Sequence, residues 1–139
     1  MVVDDILAIR ERWHTKRHPF FGALGEGKLP LRVLGIYMAM HWQFVQRALA
    51  SFGILFTRTF SQEDVRKMIV ENLAEEEGLK AIPREGHVPH DHGELIFRFC
   101  RAAGLSEPEV RAMKMTPAWW GRSLHYYQTA LQEPIGVVL

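Results

Sequence analysis

The residues best suited to chemistry fall in one stretch of the chain. Glu71-Asn72-Leu73-Ala74-Glu75-Glu76-Glu77-Gly78 sets four carboxylates near a helix end, and His87, His90 and His92 follow in a segment interrupted by Pro83, Gly86 and Pro89. Mixed carboxylate and imidazole donors suit hard and borderline transition metals such as iron and manganese, and in helical bundles they project inward from facing helices. The same composition also describes a solvated acidic helix end beside an exposed loop. No compact motif chooses between the two, because the chain has no His-Glu-x-x-His pattern and no pair of cysteines.

Other reactive groups are scattered. Cys100 lies on an apolar helical stripe with Leu95, Ile96 and Phe99, which is the setting of an inert core thiol. His18, His41 and Gln43 are the candidates for lining a substrate pocket. Trp119, Trp120, Tyr126 and Tyr127 suit a pocket wall, although rings at helical spacing more often pack a core. No Gly-rich phosphate loop, GxSxG elbow or dinucleotide fingerprint occurs.

The elements that must position these groups are helices. Asp4 or Asp5 is placed to cap a first helix through about Lys16, stopped by His18-Pro19, with a bend at Phe20-Phe21. Gly25 to Pro30 reads as a loop, and Pro30 suits the start of the longest helix, about Leu31 to Thr57. Ser61-Gln62-Glu63-Asp64 resembles a capping box for a third helix that Gly78 stops, and Leu79 to His92 reads as loop. The next helix closes at Gly104, Ser106-Glu107-Pro108-Glu109 is a regular capping box, and Thr116-Pro117 starts a last long helix. β-branched clusters occur only at Val2-Val3 and Val137-Val138, so the fold class is all-α in one domain.

The composition excludes several functions. With 139 residues, 47% hydrophobic and a formal net charge of +1, the chain expects a packed core and offers no basic excess for nucleic acid or an anionic membrane. No apolar run approaches the roughly 20 residues of a membrane span. A single cysteine and no signal-like start point to a reduced, cytoplasmic protein. Ile135 to Leu139 is apolar after Pro134, which suggests a truncated form or a half-domain completed by a second chain.

Two motifs carry a family resemblance. Trp13-His14-(three residues)-His18-Pro19-Phe20-Phe21-(three residues)-Gly25-(two residues)-Lys28-Leu29 resembles the opening of the heme-oxygenase-like proteins, which include pyrroloquinoline-quinone synthase, TenA-type thiaminases and non-heme diiron oxidases. Glu71 to Gly78, then His92-Gly93-Glu94-Leu95-(three residues)-Phe99-(four residues)-Gly104-Leu105, is similar to the metal-binding members. The resemblance implies a heme-oxygenase-like helical bundle, here lacking its C-terminal helices. It also implies that Glu76 is a carboxylate ligand to iron, with Glu75 in its place if the register shifts by one, and that His92 is the imidazole partner. The separation of 16 positions exceeds the family's usual spacing, so His87 and His90 stand as alternatives to His92.

The chain also departs from the family. Cys100 does not fall where thiaminases carry their nucleophile. The diiron members' remaining ligands, a glutamate and a His-x-x-x-Asp-x-x-His set, come from C-terminal helices absent here. Glu75-Glu76-Glu77-Gly78 replaces the quinone synthase's Asp-His-Asp-Gly with an anion that repels polycarboxylates. The expected activity is therefore an iron-dependent oxidase acting on a small organic substrate, incomplete as this chain. A cofactorless quinone-synthase-like oxidase is the alternative. A non-catalytic, self-associating module is the third, as a homodimer whose copies cover open faces around Ile36, Phe44 and Phe97.

Overall fold

The computed structural model describes residues 2–79 and 91–134, all helix and connection with no strand among them. The helices are α1 (Val2–Trp13), α2 (Pro19–Gly25), α3 (Leu31–Arg58), α4 (Glu63–Glu76), α5 (His92–Ala102), α6 (Glu107–Ala112) and α7 (Pro117–Gln132), with a short 3-10 turn at Thr15–Arg17. The all-α expectation is borne out. No helix among the described residues is long and apolar enough to cross a membrane.

α3 is the axis of the bundle. Its 28 residues span roughly 42 Å at a rise of 1.5 Å per residue. α7 runs parallel to it: Tyr37 meets Trp119 and Phe44 meets Tyr126 at ring separations of 5.6 and 5.1 Å, and further along Arg58 donates to the carbonyls of Ala130 and Glu133. α4 returns over the second half of α3, where Leu55, Ile69 and Ala130 form a small core with Phe52, Val65 and Leu73. α5 returns over the first half, where Ala39, Ile96, Cys100, Leu105 and Val110 form another. The last residue of α4 and the first of α5 therefore meet beside the middle of α3.

Close approach at the α3–α5 crossing depends on Gly35. A Cβ there would lie 2.8 Å from the Ala103 Cβ and 3.0 Å from Leu105 Cδ1, so any side chain would force the helices apart. The Cys100 thiol donates to the Gly35 carbonyl at 3.5 Å, and burial pushes that thiol's pKa up, as suits an inert core group. Fully burying Ile96, Leu105 and Val110 contributes on the order of 1.5–3 kcal/mol each.

Helix ends follow local chemistry. Gly78 and Gly104 take positive φ of 68° and 79°, which lets Leu79 N–H reach the Ala74 carbonyl at 2.8 Å and Leu105 N–H reach Cys100 at 2.9 Å. These are the stops the sequence indicates. Ser106 and Glu109 form the full reciprocal capping box, and Thr116 caps α7 ahead of Pro117.

Four expectations need correction. α1 ends at Trp13, with Asp4 and Asp5 inside its first turn rather than at a cap, because the helix already includes Val2. The bend at Phe20-Phe21 is instead helix α2, which His18 caps by accepting from Phe20 N–H at 3.2 Å. α4 starts after Gln62 with no side-chain cap, so the Ser61 pattern is unused while Glu63 and Asp64 still favour the positive helix end. The face around Ile36, Phe44 and Phe97 is not open: Phe44 is only 6% exposed beneath α7, and Ile36 and Phe97 are half-buried against the α5–α6 core.

Candidate functional site

The meeting of α4 and α5 creates the site. Glu76 closes α4 and His92 opens α5, with Glu76 Oε2 2.7 Å from His92 Nδ1. The pair is half open to solvent, at 28% exposure for the Glu76 side chain and 46% for His92. Asp91 caps α5 by accepting from Glu94 N–H, and the positive end of α5 favours a carboxylate nearby. Gly93 keeps the entry tight, since a Cβ there would stand 3.1 Å from the capping Asp91 Oδ1. With Glu76 as carboxylate the hydrogen runs from Nδ1, which leaves His92 Nε2 as the acceptor nitrogen.

Behind the pair lies a cavity of about 380 Å³ whose walls are mainly Met38, Phe44, Val45, Leu49, Phe52 and Ile96, with Glu76, His92 and His41 as its chemically active lining. A second cavity of about 440 Å³ adjoins it, with Ala48, Phe52 and Tyr126 common to both. His41 Nδ1 is buried with no hydrogen-bond partner. Its ring lies parallel to Tyr37 at 6.4 Å and near Phe44 and Trp119. Burial and then the Arg122 guanidinium hold the His41 pKa below the ordinary value of 6.5, against a smaller opposing pull from Glu76. His41 is thus held toward its neutral form, with its Nδ1 buried beside the cavity.

The anticipated residues divide into groups. Glu76, His92 and His41 come together at one cavity. Glu75 is half-buried one residue before Glu76. His18 caps α2 and lines a separate space with Phe20, Tyr37 and Trp119. Gln43 points away, donating to the Arg111 carbonyl at 3.2 Å and tying α3 to α6. His87 and His90 lie outside the described residues, as do residues 135–139. Among the described residues no three metal-ligating side chains stand close enough to hold an ion together. The two donors present do not fit a diiron centre.

Arg122 is the contributor that sequence reading missed. Its guanidinium lies 4.3 Å from the Phe44 ring centre, between Trp119 and Tyr126. The available signal was its spacing, three residues after Trp119 and four before Tyr126, which puts a cation on the ring face of one helix.

A long central helix flanked by returning helices, with a carboxylate and an imidazole at a mid-helix cavity, is an all-α bundle. The chain belongs to the TENA/THI-4/PQQC family, whose model matches residues 6–138, and that match places it in the heme-oxygenase-like superfamily. No curated protein and no solved structure matches it.

Proposed function

We propose that the chain is an oxidase-type member of this family in which Glu76 and His92 form an iron-facing half-site at the mouth of a pocket for a small, largely apolar organic substrate. The observation that carries this reading is the 2.7 Å contact between Glu76 and His92 on the wall of a mainly apolar cavity that His41 also lines. Iron bound there would supply oxygen activation, and carboxylate with imidazole is a donor set it accepts. With Glu76 bonded to Nδ1, His92 Nε2 is the direct donor and Glu76 its orienting carboxylate, so iron is held weakly and a two-iron centre needs ligands beyond the described residues. The chain's own residues do the rest. Glu76 fixes the ring of His92, apolar side chains line the space beside it, and His41 stands on the same wall with its Nδ1 buried.

The same hydrogen bond favours a second reading without metal. A carboxylate on Nδ1 orients an imidazole to take or deliver a proton at Nε2, and Arg122 near His41 adds positive potential for an acidic substrate. Metal analysis by native mass spectrometry, on protein purified anaerobically with iron present, separates the two. The iron reading expects less than one iron per chain, falling at least ~10-fold in Glu76→Ala and in His92→Ala. Iron that both substitutions leave unchanged overturns it, and its complete absence from the wild type selects the metal-free reading.

A further inference from the structure

The cavity beside Glu76 and His92 continues along α3. Ala48, Phe52 and Tyr126 line both it and the adjoining space, so the two volumes of about 380 and 440 Å³ form one groove flanked by α4 and α7. Its far end is closed where Leu55 and Ala130, both buried, pack with Ile69. From His41 to Leu55 it follows about 21 Å of α3, at a rise of 1.5 Å per residue. Two of the three shared residues carry rings and only Ala48 is small, so the passage is open for want of a side chain there.

Chemistry is concentrated at one end. Glu76, His92 and His41 stand together there, while Phe52, Leu55 and Met68 line the groove further along. Of the polar groups in that second part, the Ser51 hydroxyl already donates to the Arg47 carbonyl at 3.2 Å, His125 is exposed and Thr129 half-buried. The polar end is rich in acceptors. His92 gives its Nδ1 hydrogen to Glu76, which leaves Nε2 to accept, and the Glu76 carboxylate only accepts. Among the described residues no lysine or arginine lines either cavity, and Arg122 stacks on the Phe44 ring at 4.3 Å without joining the lining. A carboxylate or phosphate would meet Glu76 with no cation in the lining to balance it, and an ammonium would lie on the side of the Arg122 guanidinium. A hydroxyl brings a donor and no charge.

We propose that the groove takes a linear aliphatic chain with a primary hydroxyl at the Glu76–His92 end, and that Ala48, at the junction of the two cavities, sets how long a chain it admits. The proposal rests on the reading of Glu76 and His92 as the reacting end and adds the shape and head group of the substrate.

Titration of the full, metal-free chain with 1-butanol, 1-hexanol, 1-octanol and 1-decanol, followed by amide and histidine NMR shifts, tests it. Each added methylene tightens binding about 4-fold, as burial of a CH2 group does. Every alcohol shifts His92 and His41, and only the longer ones shift Leu55 and Met68. In Ala48→Phe decanol binds no tighter than hexanol, a loss of at least ~50-fold, while butanol is unchanged. Met68→Lys, at a side chain 45% exposed, puts a charge beside the tail and weakens decanol at least ~10-fold, which frees the test from the folding of Ala48→Phe. Octanoate and octylamine bind at least ~10-fold more weakly than octanol. Affinity that stops rising at hexanol in the wild type overturns the proposal. So does decanol binding that both substitutions leave unchanged, or either ion binding more tightly than octanol. Iron uptake unchanged by Glu76→Ala overturns the oxidase reading and leaves these titrations as they are, so the two fail separately.

Discussion

The two halves of α3 are covered in opposite ways. At its first half, α5 and α6 approach to contact distance: Gly35 is pressed against Ala103 and Leu105, the Cys100 thiol finds a carbonyl, and both helix ends are capped by their own residues. At its middle, α4 stops and α5 starts, so the covering layer is interrupted. There the structure leaves a cavity, an unpartnered His41 nitrogen and a half-exposed carboxylate–imidazole pair. Tight packing and the candidate site thus lie on neighbouring turns of one helix. Close packing uses small residues and satisfied ends, whereas a site arises where two helix ends bring polar side chains to a gap that apolar side chains do not fill.

Substitutions can break or sharpen this contrast. The largest effect is expected at the tight crossing. Gly35→Val should lose about 2–3 kcal/mol of unfolding free energy in urea titration, because the side chain meets Ala103 and Leu105 with no room to yield. At the cavity the sign changes. His41→Leu should leave stability unchanged or raise it by about 1 kcal/mol, since it removes a buried polar atom that has no partner.

The pH dependence follows from the same residue. The pKa of His41 is lowered in the folded chain, so below the ordinary value of 6.5 the unfolded chain binds the extra proton first. The stability contribution of neutral His41 is present above pH 6.5 and lost as pH falls from there toward the lowered folded value. Thermal melts between pH 7.5 and 5.5 should show a shallower decline for His41→Leu than for the wild type. The smallest effect belongs to the surface cap. Ser106→Ala should cost about 1 kcal/mol by removing the acceptor for Glu109 N–H. Hydrogen bonds from the Ser106 backbone and then its hydroxyl hold the Glu109 carboxyl below the usual range, so this cap weakens as pH falls through that lowered value.

Much of the contrast was legible in the sequence, for physical reasons. Glycine stops, the Ser106 box and the Thr116-Pro117 start are local chemistry, and each lies where its residues dictate. The all-α reading rests on the same kind of signal, although it took α2 for a bend. The juxtaposition of Glu76 with His92 was legible only through family resemblance, because 16 intervening positions carry no periodicity linking two helix ends. Two features needed the fold itself. Gln43 and His41 are two residues apart on one helix, and only the placement of α6 and α7 decides that Gln43 ties helices together while His41 faces the cavity. Likewise Phe44 was expected on an open face, but the parallel docking of α7 covers it and leaves the outer side of α7 exposed instead.

The central claim is that Glu76 holds His92 through Nδ1 and leaves Nε2 free to accept at the edge of the cavity. Histidine-selective nitrogen NMR at pH 8 tests it directly, by reporting which ring nitrogen carries the proton and which responds to added Fe(II). The account predicts a His92 signal with hydrogen on Nδ1, lost or altered in Glu76→Gln, and selective broadening of His92 on iron addition. A His92 ring protonated on Nε2, unchanged by Glu76→Gln and untouched by iron, would contradict it.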